Sequence, residues 1–293
     1  MKRLAYFILR LIVALFALLP FWYLYRLSDG LAFLLHYLLR YRRGVIDRNL
    51  KAAFPQKSEA EWAHIRRKFY THFTDVLLES IKGLSLGEAE LRRRYRYLNA
   101  PLPDQVGQQR SSAILVGSHL GNWEWGVLSV SLWMQTPVMG VFKPLSNEYV
   151  EGYLNRLRRQ WGLQLCSMKQ AGRVIFKPGQ PNTLFVFIAD QTPSDTQNAH
   201  WLPFLHQDTP FLPGPDKVAR KTSYPVYYFD IRRVKRGYYE VKFEELAVEP
   251  GGLPEGEISR RFARRLEQRL QEEPYDWLWS HRRWKHSRAV PPP

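Results

Sequence analysis

The chain has a single cysteine, Cys166, which excludes an intrachain disulfide framework and any cysteine-rich metal site. It contains no HExxH pair, no glycine-rich phosphate loop and no EF-hand pattern, so nothing in it points to metal or nucleotide chemistry, and no cofactor is expected. Internal repeats are absent, and low complexity is confined to the terminal Pro291-Pro292-Pro293. Acidic residues are scarce: 27 Asp and Glu face 43 Lys and Arg, a formal net charge of +16 over 293 residues. Such a surface prefers anionic partners, whether an anionic bilayer, a phosphorylated lipid, an acidic protein or nucleic acid. Hydrophobic residues make up 45% of the chain, enough for a sizeable packed core, with Cys166 as one of its small members.

The longest apolar run, Leu4 to Tyr25, is interrupted only by Arg10 and Pro20. It is long enough to cross the roughly 30 Å hydrocarbon layer, and Trp22, Tyr23 and Tyr25 supply an aromatic belt at one end. No small-residue cleavage site follows, which argues against a signal peptide. The heavier basic flank (Arg26, Arg40, Arg42, Arg43, Arg48, Lys51) places the rest of the chain on the cytoplasmic side. Arg10 and a second apolar stretch, Leu31 to Leu39, support the other reading, a helical hairpin lying in the membrane interface. Residues 1–40 therefore read as a membrane anchor and 41–293 as one domain, with no linker to divide it.

Beyond the anchor, Trp62, Ile65, Phe69, Phe73, Val76, Leu77 and Ile81 recur at helical spacing, predicting an amphipathic helix over 59–82. The run Arg92 to Tyr97 interleaves arginines with tyrosines; it reads as a solvated or headgroup-facing surface rather than a nucleic-acid site. From 113 the pattern alternates as in an α/β domain. Strands are expected at 113–117, 137–142, 184–189, 224–231 and 238–245, with helices at 122–134, 148–161, 168–176, 214–222 and 257–272. The fold class is α/β, a central mixed sheet flanked by helices.

The chemistry-bearing stretch is Gly117-Ser118-His119-Leu120-Gly121-Asn122-Trp123-Glu124, between the first of these strands and its helix. Polar groups at a strand end sit where sites form in open α/β sheets. Residues five apart on one helix diverge by roughly 140°. His119 and Glu124 can therefore meet only if His119 lies on the loop and Glu124 in the first helical turn. Glu124 would then accept the imidazole N–H and leave the other nitrogen as a general base. No Ser or Cys is placed there to be activated as a nucleophile, so the base would more naturally deprotonate a substrate hydroxyl.

His119-Leu120-Gly121-Asn122-Trp123-Glu124 resembles the HX4E motif of the late lipid A biosynthesis acyltransferases, a branch of the lysophospholipid acyltransferase superfamily. The likeness extends to Arg48-Asn49-Leu50 with Ala53-Phe54-Pro55, to Ala189-Asp190-Gln191-Thr192-Pro193, and to Trp279-Ser280-His281-Arg282-Arg283-Trp284-Lys285. It implies transfer of a fatty acyl chain from a thioester, usually on acyl-carrier protein, to a hydroxyl of an anionic lipid A precursor at the cytoplasmic leaflet of a bacterial inner membrane. His119 and Glu124 would be catalytic. Asn122, Lys143, Lys169, Arg173 and Asp190 would contact substrate. The loop over 194–213 departs from the family pattern at Phe204-Leu205-His206; its length and its own aromatics, Trp201, Phe204 and Phe211, suit it to shape an acyl groove. Lys143 stands where the family commonly has Arg, exchanging a planar fork for a point charge. His281 is either a second base or part of an aromatic segment packed over the sheet. Two rivals stand beside this reading: the same chemistry on a lysophospholipid, aminoacyl lipid or other glycolipid, and a non-catalytic basic protein of the membrane surface.

Overall fold

The computed structural model describes residues 1–109, 111–179, 181–286 and 288; the terminal proline run lies outside them. Pro20, which cannot donate a backbone hydrogen bond, divides the N-terminal apolar run into α1 (Lys2–Leu18) and α2 (Phe21–Phe33). The expected membrane-crossing segment is thus two helices, and among the described residues no helix is long and apolar enough to cross a membrane. A π-helical turn, Leu34–Leu38, continues α2. Both helices lie on the body of the protein. Arg3 Nε donates to Tyr149 on α8 (Glu148–Arg158), and Ser28 Oγ donates to Asp75 Oδ1 at 2.6 Å on α4 (Glu59–Gly83). The outer face of α1 stays open, with Leu4, Phe7, Ile8, Leu11, Leu15 and Leu18 exposed at helical spacing.

The amphipathic helix expected at 59–82 is α4, started by a reciprocal capping box between Ser58 and Glu61. Before it comes α3 (Arg43–Ala53) and after it α5 (Glu88–Arg94). The Arg/Tyr run is not a binding stripe. Tyr95 and Tyr97 are buried in a short strand, β1 (Tyr95–Tyr97). Arg92 and Arg93 pair with Glu88 and Glu90, and the Arg94 guanidinium lies 3.5 Å from the centre of the Phe21 ring.

Among the described residues the main sheet has seven strands. Its interior ones are β2 (Ala113–Gly117), β3 (Val138–Phe142), β5 (Leu184–Ile188), β8 (Val226–Lys235) and β9 (Tyr238–Ala247), and β1 and β4 (Gln164–Ser167) form its edges. The order is β1-β9-β8-β2-β5-β3-β4, parallel throughout except for the β8–β9 hairpin, which makes the sheet mixed. Side chains alternate across it as the pleat requires. Ile114 and Val116 enter one core with Phe185 and Cys166, beneath α11 (Glu257–Glu272); Ala113 and Leu115 enter the other, beneath α7 (Trp123–Trp133). β5 pairs with β2 in parallel from Ala113 opposite Leu184 to Gly117 opposite Ile188.

The stretch 194–213 is largely a hairpin, β6 (His200–Phe204) and β7 (Gln207–Phe211). Phe204 and Phe211 are buried in the core, in edge contact with each other and with Trp277 and Phe262 respectively, so they brace the C-terminal segment and do not shape a groove.

Candidate active site

The parallel register of β2 and β5 builds the site. Carried two residues past Gly117 and Ile188, it sets His119 opposite Asp190, where strands about 4.8 Å apart bring their side chains within reach. His119 Nδ1–H donates to Asp190 Oδ1 at 2.6 Å, and the His119 backbone N–H donates to Asp190 Oδ2 at 3.1 Å. A second donor, Trp277 Nε1–H, reaches Asp190 Oδ2 at 2.7 Å. The carboxylate is sealed in at 2% exposed, while the imidazole keeps 17% of its surface open and turns Nε2 outward. Asp190 thus lies behind His119 and does not line the cavity.

The turn that follows depends on Gly121, whose φ of +51° L side chains rarely adopt and whose missing Cβ would lie 2.7 Å from Ile231 Cγ2. Asn122 then caps α7, its Oδ1 accepting from Trp125 N–H at 3.0 Å. Its Nδ2 donates to Glu79 at 2.9 Å. Glu79, fully buried on α4, also accepts from the Tyr25 and Tyr239 hydroxyls. Burial pushes its carboxyl pKa up, although Tyr239, Arg233 and Asn122 pull the other way. Asn122 therefore fixes the shape of the turn from behind and does not touch the cavity.

Glu124 stands in the first turn of α7, as expected, but is not the hydrogen-bond partner of His119. Its carboxylate receives Arg158 Nη2–H at 3.0 Å, from α8, while Nδ1 of the imidazole is already held by Asp190. The reason is register: the strand-end carboxylate lies directly across from His119, and Glu124 is carried around by the turn. Glu124 still acts on His119 through space. Burial alone lowers the imidazole pKa; the charge and hydrogen bond of Asp190, with a smaller pull from Glu124, overcome it and hold His119 above its ordinary value. For Asp190 the order is the same: burial raises its pKa, and the His119 and Trp277 contacts outweigh that and depress it.

His119, Glu124, Arg158 and Gln191 stand on the wall of a cavity of about 490 Å³ between α7 and the sheet. Farther along, Val130, Leu163, Tyr97 and Phe243 make the lining apolar. A mainly apolar lining with an imidazole and a few polar groups on the wall suits a substrate with a hydrocarbon tail. Gln191 Nε2 lies 3.2 Å from His119 Nε2. Lys143 lies on the cavity wall with Lys285 and His281. Lys169 and Arg173 are exposed on α9 (Met168–Ile175), and neither lines the cavity. His281 Nε2 accepts the Thr192 backbone N–H at 3.2 Å, and burial takes its pKa down to about 4, so it braces a loop and is no second base in place.

Three ordered stretches (the His119 turn, the Asp190 strand end and the Trp277 segment) thus converge on one imidazole beside an apolar cavity. The model of the bacterial lipid A biosynthesis acyltransferase family matches residues 1–286. The chain belongs to that family. Among curated proteins it is similar to the lipid A biosynthesis lauroyltransferase of Escherichia coli (strain K12), 23% identical over 273 residues that cover 91% of this chain and 87% of the relative. The family makes this an acyltransferase of lipid A biosynthesis and gives the His119 site its context.

Several residues here carry little signal in the sequence. Arg158 carried no signal beyond its place on a basic helix face. Trp277 and Gln191 lay beside or within quoted motifs but had no assigned role. Glu79 was detectable: His72, Asp75 and Glu79 recur at helical spacing among the apolar positions of α4, and polar residues on a buried face need partners.

Proposed function

We propose that the protein moves a fatty acyl chain from an acyl-carrier-protein thioester to a hydroxyl of a phosphorylated lipid A precursor at the cytoplasmic leaflet of a bacterial inner membrane. The observation that carries this reading is the oriented His119–Asp190 pair opening onto a largely apolar cavity. The acceptor hydroxyl takes the place that Gln191 occupies beside Nε2. As its oxygen attacks the thioester carbonyl, Nε2 takes its proton, and Asp190 stabilises the resulting imidazolium through Nδ1–H. The tetrahedral oxyanion collapses, the C–S bond breaks, and the thiolate leaves and recovers the proton from His119. Gln191 and Lys143 supply a dipole and a charge near the developing oxyanion. Arg158, steadied by Glu124, offers a guanidinium to the anionic acceptor at the same wall.

The +16 charge favours both an acidic carrier protein and an anionic acceptor. The open apolar stripe of α1, with Trp22 and Tyr23 beside it on α2, suits a helix pair lying in the bilayer interface with the basic body held against anionic headgroups.

The test is acyl transfer by the purified protein in mixed lipid–detergent micelles. Acyl-carrier-protein and coenzyme A thioesters are offered as donors against lipid A precursors, lysophospholipids and other glycolipids, with products identified by mass spectrometry. The expected result is a carrier-protein-dependent product on the lipid A precursor, reduced by at least about 1,000-fold in His119→Ala with the fold intact. Preferred acylation of a lysophospholipid, or full activity in His119→Ala, would overturn the proposal.

A further inference from the structure

The C-terminal segment after α11 crosses the catalytic turn as a strap, and its fastenings are specific. Trp277 forms an antiparallel bridge with Leu120, the residue after His119. Asn49 Nδ2, on α3, donates to the carbonyls of Trp279 and His281, each at 2.9 Å, and Arg42 Nη1 donates to that of Ser280 at 3.0 Å. At the far end, Thr192 donates its backbone N–H to His281 Nε2 and its hydroxyl to the Arg283 carbonyl at 2.5 Å. The segments Arg48-Asn49-Leu50 and Trp279 to Lys285 thus acquire a shared purpose. One clamps the other against the loop that carries Asp190, Gln191 and Thr192.

The indole of Trp277 is 3% exposed and boxed in by Trp279, Phe204 and Trp284, with ring centres 4.8, 6.0 and 6.2 Å away. It has no room to leave Asp190. We infer that Trp277 is a positioning residue that sets the basicity of Asp190 and, through it, the proton affinity of His119. Asp190 Oδ1 serves the imidazole, and Oδ2 is shared between the His119 backbone N–H and the indole N–H. Each donor withdraws charge from the carboxylate. Trp277 therefore limits how strongly Asp190 favours the imidazolium, so His119 is held in place without being locked in its protonated form. This deepens the proposed function, since it rests on His119 acting as a base.

The experiment compares two variants with the wild-type protein in detergent micelles. Trp277→Phe removes the N–H and part of the ring. Trp277→3-benzothienylalanine, introduced by codon suppression, keeps the bicyclic shape and removes only the N–H. The His119 pKa is read by NMR of histidine-labelled protein, with the resonance assigned by its loss in His119→Ala. We expect it to rise by about one pH unit in both variants. The acid limb of kcat/KM should move up equally. An unchanged His119 titration in the benzothienyl variant overturns the inference, and that variant decides if Trp277→Phe does not fold. A titration shift combined with full turnover by His119→Ala overturns the proposed function and leaves the Asp190–Trp277 relation standing.

Discussion

Replacing Asp190 by Asn tests the arrangement most directly, because the change is isosteric and its consequence follows from counting donors. Asp190 Oδ2 accepts two N–H groups, from the His119 backbone and Trp277, whereas Oδ1 accepts one. An asparagine keeps the better set by placing its oxygen where Oδ2 was. Its NH2 then faces His119 Nδ1, which must become the acceptor. The proton moves to Nε2, the atom meant to take one from the acceptor. The opposite rotamer leaves two buried N–H groups facing an NH2, at about 1–3 kcal/mol each. Reaching the productive tautomer therefore costs about 2–6 kcal/mol, and losing the charge opposite the imidazolium costs about 1.5–3 kcal/mol more. Together these predict a loss of about 300-fold to about 3 × 10⁶-fold in kcat, at about 1.4 kcal/mol per decade. The pH profile adds a sign. With burial then opposed only by the smaller pull of Glu124, His119 falls below its ordinary pKa, so the acid limb moves to lower pH while the plateau stays depressed. Glu124→Gln, which can still accept from Arg158, should lose much less. Steady-state acyl transfer from pH 5 to 9 measures both. An Asp190→Asn enzyme within about fivefold of wild type, or a Glu124→Gln enzyme impaired more than it, would refute the reasoning.

Gly121→Ala meets both a left-handed backbone and a 2.7 Å approach to Ile231, and should cost about 2–5 kcal/mol. At about 2–4 °C per kcal/mol, a thermal scan should show a drop of at least about 4 °C, and an unchanged melting temperature would mean the turn is misdescribed. Acid should destabilise the fold from about pH 6.5 downwards. Burial, aided by Arg233, holds the folded His72 pKa at about 3, and burial holds that of His281 at about 4. Unfolding therefore takes up protons between about pH 6.5 and those values, and stability present above that window is lost as pH falls through it. His119 has the opposite sign: its contribution is complete below the unfolded pKa and is lost as pH rises through its raised folded value. His72→Gln should flatten the acid side of a melting-temperature profile by about 1.4 kcal/mol per pH unit, and an unaltered slope would count against a neutral buried His72. Leu11→Asp with Leu15→Asp, both on the open face of α1, should weaken partition onto anionic vesicles by at least about 100-fold in sedimentation. Equal binding would remove α1 as the contact.

Periodicity alone carried much of this molecule. The strand at 113–117, the helix at 257–272 and the amphipathic helix at 59–82 form where the spacing of apolar residues requires, because each has a continuous face to bury. His119 was legible for the same reason, since a histidine between a buried strand and a helix can only stand at the sheet's mouth. Other features depended on neighbours distant in sequence. The run from Leu4 to Tyr25 has the composition of a membrane span, yet Pro20 and the contacts of α1 and α2 with the body make it two helices. Phe204 and Phe211, which read as the wall of a groove, found partners in Trp277 and Phe262. Above all, the partner of His119 was not the carboxylate five residues on but one 71 residues away. Local spacing limits which side chains can approach one another; strand register decides which of them do. The sequence alone determined which histidine stands at the sheet's mouth and the kind of place where it sits. The partner at its back, the indole behind that partner and the apolar cavity in front exist only once β2, β5 and the C-terminal strap are brought together.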